Sequence, residues 1–460
     1  MVRVLGVAAV AAIFSMGGAS GARQATHDAA RADAPTLDVS ALLAAANGAS
    51  PIICSLAAQS VRNYGGGWSD APATPLASVR ERPVSIMNGD EQRLPDADVD
   101  RLVSALGSPD ACVREISVRV LGSQRRNDRV SAALIQRLGA AEVPMREVAA
   151  YGLGMVQPAE AVAPLTSALR DAAAGVRGNA AWALGRMRAG AAFTPLVGLF
   201  GDRDAGVREA AVVAVGHMDS TSAVDALTRV LEHDDATNVR RVAAWALGQR
   251  DLRGRAVTAL ANALGHDADA RVREMSAWAL GNGRERGTSV PALLVALRSD
   301  ADDAVRETSA WAIGELGDRS AGDALGKALE SDRSTRVRAT AAWAIGNLRG
   351  RGGPAPAGLI GALKDQDDDV RLRAAWALGE VGDANAIGGV RDALNRETDT
   401  QVRRALVRAL VKSGGRSEES MSELLKSGDP SVREAAIRGL VGNDAFNPWP
   451  WPQPRPRPFP

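Results

Sequence analysis

Residues 272–281 read Val-Arg-Glu-Met-Ser-Ala-Trp-Ala-Leu-Gly, and this stretch returns, degraded or intact, along most of the chain. Its Val-Arg pair (Met-Arg once) places arginines at Arg114, Arg146, Arg177, Arg208, Arg240, Arg273, Arg306, Arg338, Arg371, Arg403 and Arg433, at steps of 30 to 33 residues. A fixed period of this size predicts a solenoid rather than a globule with one core, because each unit can bury its apolar face only against its neighbours. Every unit holds two helical patterns. In the unit that follows Gly281, Thr288 to Arg298 carries apolar residues at helical spacing, an acidic turn covers Ser299 to Asp303, and the next Val-Arg motif opens a second helix at Ala304 to Leu316. An Asp before that helix (Asp110, Asp204, Asp235, Asp269, Asp332, Asp367, Asp429) suits the unpaired N–H groups of the first turn. The glycine closing the motif, such as Gly154, Gly248 or Gly346, suits a C-terminal turn or close helix packing.

These residues resemble the HEAT-like repeats of the phycobilisome-lyase type, whose pattern is close to Val-Arg-x-x-Ala-Ala-x-Ala-Leu-Gly, and the likeness covers roughly residues 96 to 442. The expected fold is an all-α, right-handed solenoid of about eleven helix pairs. Repeats of this kind serve mostly as scaffolds, so the resemblance implies binding rather than catalysis.

The segments around the repeats set the remaining boundaries. Met1 to Ala22 reads as a secretory signal peptide, with Arg3, an apolar run from Val4 to Met16 and the small residues Ser20-Gly21-Ala22, an uncleaved anchor being the alternative. An exported protein, periplasmic or secreted, is expected. Residues 23–95 form an irregular extension with short helix candidates at Val39 to Ala46 and Ile52 to Val61, placed to cap the solenoid. The two cysteines, Cys54 and Cys112, are candidates for a disulfide that clips this cap to the first repeat, two free thiols being the alternative. Residues 443–460 are a tail whose alternating prolines favour an extended chain. With Trp449, Trp451 and Phe459 for stacking and Arg455 and Arg457 for charge, it is a candidate ligand of the solenoid's own groove.

Side chains able to carry chemistry are few. A net charge of +1 argues against a dedicated nucleic-acid or anionic-membrane binder. Of the four histidines, His27 stands beside the cleavage site, and His233-Asp234 and His266-Asp267 hold equivalent places in adjacent units, as a shared metal site or as solvated turns. Deoxyhypusine hydroxylase, an iron enzyme on similar repeats, uses His-Glu dyads, and none occurs here. No cofactor is implied. The recurrent arginine (Arg177, Arg240, Arg273, Arg306, Arg338, Arg371), three to six residues after an Asp, reads as a repeated ion pair or hydrogen-bond ladder rather than a basic stripe.

Six tryptophans share one register, five residues after the motif arginine: Trp182, Trp245, Trp278, Trp311, Trp343 and Trp376, with Tyr151 in the same place. On a helical wheel Trp278 points about 150° from the centre of the arc holding Val272, Ser276, Ala279 and Leu280, away from the expected core. In repeats of this class the second helix lines the concave surface, so the resemblance implies a ladder of indoles on an inner wall, either stiffening the array or open to a ligand. Glu274 and Glu307, one turn before Trp278 and Trp311, add negative charge. An acidic, aromatic wall favours a proline-rich or cationic protein or peptide partner. The reading is an exported, non-catalytic scaffold. An enzyme or metal site in the extension, and a structural spacer without a groove ligand, stay open as alternatives.

Overall fold

The computed structural model describes residues 38–50, 54, 94–124, 127–218, 221–250, 253–348, 354–414, 422 and 424–441. The signal-peptide reading, His27, the helix candidate from Ile52 and the proline-rich tail lie outside these residues. Among the described residues there is no strand.

A short helix, α1 (Val39–Ala46), precedes the array. Ten helix pairs then follow in chain order: α2 (Asp96–Ala105) with α3 (Ala111–Gly122), α4 (Asp128–Arg137) with α5 (Val143–Val156), and α6 (Val162–Ala168) with α7 (Ala174–Arg186). Next come α8 (Phe193–Gly198) with α9 (Ala205–Gly216), α10 (Val224–His233) with α11 (Thr237–Gly248), and α12 (Arg255–His266) with α13 (Ala270–Asn282). The series ends with α14 (Ser289–Ser299) and α15 (Asp303–Leu316), α16 (Gly322–Ser331) and α17 (Thr335–Asn347), α18 (Ala357–Gly361) and α19 (Asp368–Val381), and α20 (Ile387–Arg396) and α21 (Thr400–Lys412). The eleventh motif helix is α22 (Pro430–Val441). Between the two ends of the array each motif helix packs on its own first helix and on the motif helices before and after it. The core is therefore a continuous ribbon of Leu, Val, Ile and Ala running the length of the array.

Local chemistry starts these helices where the sequence places an aspartate. Asp110 accepts from Cys112 and Val113 N–H, Asp302 from Ala304 and Val305, Asp367 from Asp369 and Val370, and Asp399 from Gln401 and Val402. Each bond satisfies a first-turn donor that the helix itself cannot. Asp235 and Asp332 do not cap their helices, whose N-terminal residues Ala236 and Ser334 supply no side-chain cap.

The extension closes the first end. Val39 and Ala46 are buried against the first pair, Gly48 N–H donates to the Asp110 carboxylate at 2.9 Å, and Leu94 N–H donates to Gln124 at 2.9 Å. A Cys54–Cys112 disulfide ties residues 58 apart in sequence across this junction. Closing a loop of that length removes entropy from the unfolded chain, an effect worth about 4 kcal/mol. No helix among the described residues is long and apolar enough to cross a membrane.

Candidate functional site: the face of the motif helices

The tryptophans do not form an open wall. Trp182, Trp245, Trp278, Trp311 and Trp343 are 3–9% exposed, as is Tyr151 at 8%, and Trp376 is half-buried. The expected outward direction is corrected by the stacking. A motif helix in the middle of the array is covered on three sides, and a long ring leaving the remaining stripe leans sideways onto its predecessor. What it finds there is the closing glycine of the unit before. A Cβ built on Gly154, Gly216, Gly248, Gly281 or Gly314 would lie 2.5, 2.5, 2.7, 3.0 and 2.9 Å from Cζ3 of Trp182, Trp245, Trp278, Trp311 and Trp343 respectively. Trp376 meets Gly346 in the same way. The glycine therefore serves close packing, and the tryptophans are core residues available to a ligand only at their edges.

Units without the tryptophan show what else the glycine packs against. Where Val213 replaces Trp, a Cβ built on the glycine one unit earlier, Gly185, would lie 2.6 Å from Ala214 Cα, so the neighbouring backbone alone leaves no room for a side chain. Where Arg408 replaces Trp, the nearest atom to a Cβ on Gly379 is 3.3 Å away. One unit later, where Arg438 stands, the glycine is gone and Val411 takes its place.

The arginines form a ladder, with partners one unit further on than their spacing suggests. Arg306 donates Nε and an Nη to the two oxygens of Asp332 at 2.7 and 2.9 Å, and its other Nη to the Asp300 carbonyl at 2.9 Å. Asp300 in turn accepts on both oxygens from Arg273 at 2.8 and 2.9 Å. Arg146, Arg177, Arg208, Arg240 and Arg338 repeat the fork on Asp171, Asp202, Asp234, Asp267 and Asp365, and Arg371 on Glu397. From Arg177 to Arg371 the acidic residue six before each arginine supplies its carbonyl, while its carboxylate belongs to the preceding unit's arginine; at Arg146 that carbonyl is Ala140's. Arg114 has no such partner: the turn that would supply it is Gly139-Ala140-Ala141, and the guanidinium donates to the Ser108 and Pro109 carbonyls instead.

With the indoles and the ladder arginines buried or half-buried, polar side chains flanking each Trp make up the open stripe: Glu147, Arg271, Glu274, Glu307, Glu315 and Arg336 among them. Burial pushes the Glu274 carboxyl above its usual range, and the charges of Asp302 and Glu307 add to it. Glu274 makes no hydrogen bond or ion pair among the described residues. Burial also raises Glu307, against the pull of Arg336, whose guanidinium lies 2.8 Å away, and of Arg373. Burial alone raises Glu315. Of the histidines, His233 is exposed and lies 3.7 Å from Glu232, while His266 Nδ1 lies 3.1 Å from the Asn262 carbonyl. Among the described residues no cluster of metal-ligating side chains occurs.

These carboxylates set opposite pH responses. Asp171 is held low by its bonds to Arg146, and at Asp202, Asp267, Asp300 and Asp332 burial, the largest single influence, is outweighed by the arginine fork and a backbone N–H bond together. A lowered folded pKa means stability present above the unfolded value, about 4, and lost as pH falls below it. Glu147, Glu274, Glu307 and Glu315 have the reverse sign, so their contribution grows as pH falls toward that value. The urea midpoint should therefore rise modestly from pH 8 to about 5 and drop steeply below about 4. A steady fall from pH 8 downward would contradict the assignment.

A family model for HEAT repeats matches residues 99–184, 131–216, 196–281, 290–357 and 355–441, together most of the chain. The chain belongs to the HEAT-repeat family. No curated protein matches it. Among solved structures, an engineered protein is 22% identical over 75% of this chain and 98% of its own, with a TM-score of 0.42. Yeast importin-β, Kap95p, in a structure with RanGDP, is 16% identical at a TM-score of 0.56 over 88% of this chain. In a complex with Nup1 the figures are 16% and 0.50 over 76%. This HEAT-repeat chain spans about 61% of the length of the Kap95p it matches in the first of these two structures. At such identity the likeness shows the solenoid fold alone.

Proposed function

We propose that this HEAT-repeat chain is an exported, non-catalytic scaffold of the phycobilisome-lyase-like repeat type, and that it holds a protein or peptide partner along the face of its motif helices. One observation carries the reading: Glu274, half-buried on that face, has its charge opposed by burial, by Asp302 and by Glu307 more strongly than Arg336 and Arg241 favour it, and meets no hydrogen-bond partner among the described residues. A carboxylate in that position has acceptor capacity left for a bound partner, and a guanidinium or ammonium group is the matching chemistry. Glu307 on the adjacent motif helix extends the same acidic strip. Proline-rich, cationic segments suit it, since they are already extended and lose little entropy on docking. The indole edges beneath add contact area without being the principal anchor. Kap95p, a solenoid of the same fold, is described in complexes with RanGDP and Nup1, and the proposal extends protein binding to this chain.

A synthetic Pro-Arg-Pro-Arg-Pro peptide is the direct probe, titrated by calorimetry into the unaltered chain and into E274Q/E307Q. The expected result is binding that weakens with salt and falls about tenfold or more in the double variant, the scale of one lost charge-assisted bond. Equal affinity in both proteins, or none up to millimolar peptide, would overturn the proposal.

A further inference from the structure

The strip of Glu274 and Glu307 is one part of a longer face. From α13 and α15 the motif helices continue through α17, α19 and α21 to α22, each packed on the next. Residues one, five and nine places after a motif arginine lie a helical turn apart and share one side of the helix. Followed back from the last helix, that side changes character in a fixed order. On α21 it holds Arg408 and Lys412, which lie 3.4 and 2.8 Å from the Glu380 carboxylate of α19. On α19 it holds Leu372 and Trp376, both half-buried, and Trp376 is the one indole of the six that is not buried. On α15 and α13 it holds the two acids. Glu307 meets the exposed Arg336 through one oxygen, at 2.8 Å, and a carboxylate can accept from further donors.

The chain that leaves α22 matches this order with complementary chemistry. Residues 442–460 lie outside the described residues; their sequence gives Asp444 first, then Trp449 and Trp451, then Arg455 and Arg457.

We propose that the occupant of this face is the tail of the same chain, which turns back across α21, α19 and α17 and sets Arg455 and Arg457 on Glu307 and Glu274, closing the strip until a partner displaces it. The inference rests on the acidic strip being the binding surface and names what fills it. The lengths agree. Asp444 is three residues beyond Val441, about 9 Å at the 3.1 Å rise of a proline-rich chain, and α21 is one helix step of about 8–10 Å away. Trp449, at about 25 Å, comes level with the space between α19 and α17, two and three steps away. Arg455, at about 43 Å, covers the four steps to α15, about 32–40 Å, and Arg457, at about 50 Å, the five to α13, about 40–50 Å. The course is oblique, from the end of α22 to the first turns of α15 and α13, but a shift of about 10 Å along the helix axes lengthens each path by under about 2 Å. A tether that matches its span gives the highest effective concentration, and an extended proline-rich chain loses little entropy on docking.

The test titrates the Pro-Arg-Pro-Arg-Pro peptide, which has the sequence of residues 454–458, by calorimetry into the full unaltered chain and into the full chain carrying R455Q/R457Q. The expected result is binding about fivefold or more tighter in R455Q/R457Q, where the tail no longer competes, with R455K/R457K restoring most of the competition. The difference should hold across a tenfold range of protein concentration, because a tethered competitor is not diluted. Labelled indole N–H groups give a second reading. The Trp376 signal should shift between the unaltered chain and R455Q/R457Q, and E274Q/E307Q should shift it the same way although Glu307 stands two motif helices from Trp376. Equal affinity in the two chains, or a Trp376 signal that stays still in both variants, would overturn the inference. A difference that changes with protein concentration would place the tail on a second copy and overturn it as well. Equal and measurable affinity removes only the tail and leaves the acidic strip, whereas absence of binding to R455Q/R457Q, whose strip is free, removes the strip itself.

Discussion

Replacing Arg306 with methionine should destabilise the middle of the solenoid by about 3–5 kcal/mol, the cost of leaving a buried ionic partner uncompensated. Arg306 is 5% exposed, and it joins three places at once: its own helix start, the turn carbonyl of Asp300 and the next unit's Asp332 carboxylate. Asp332 would keep its bond from Ser334 N–H but lose both guanidinium bonds. Arg306→Lys retains the charge and should recover only part of the loss, because one ammonium cannot span two carboxylate oxygens and a carbonyl. Coupling in a solenoid is between neighbours, so hydrogen exchange should quicken at residues 300–305 and 332–337 and leave the first units unchanged. Stability within about 0.5 kcal/mol of the parent would show the fork to be a surface ion pair of little worth.

The ladder also shows where sequence reasoning reaches its limit. The period, the helix pairs and the structural role of the arginine are legible because each recurs at a fixed offset within one unit. The partner of Arg306 is not, because two aspartates, Asp300 and Asp302, stand just before its motif, and spacing alone favours the pair inside the unit. The division of labour, one carboxylate capping the helix and the other receiving the previous arginine, appears only once units are stacked. The tryptophans mislead for the same reason. A wheel for Trp278 separates the first-helix side from its opposite, but it contains no information about neighbouring motif helices. One signal was nevertheless present in the sequence: Val411 replaces the closing glycine just where the next unit has Arg438 instead of Trp. Gly185 and Gly379 stay, however, where Val213 and Arg408 replace the ring, so the glycine answers to the neighbouring backbone as well as to the tryptophan.

Truncating Trp343 to alanine should then cost about 3–5 kcal/mol, as for any large aromatic removed from a packed interior. The ring is 3% exposed and rests on Gly314 of the preceding motif helix. Gly314→Ala should be destabilising too, by about 1–3 kcal/mol, despite the better helix propensity of alanine, because its Cβ would meet Ala344 Cα at 2.9 Å and Trp343 Cζ3 at 2.9 Å. The double variant separates the two contacts. With the ring gone, the added methyl enters space the indole vacated, so the combined loss should be smaller than the sum of the single losses by about 1 kcal/mol or more. Trp376→Ala should cost less than Trp343→Ala, since its ring is only half-buried. Urea unfolding followed by far-UV circular dichroism, with exchange protection across α15, α17 and α19 as the local readout, measures each leg of the cycle. A Trp343→Ala protein as stable as the parent, altered only in what it binds, would return the indoles to the role of ligand wall. Strict additivity would mean that the glycine answers to the Ala344 backbone and not to the ring.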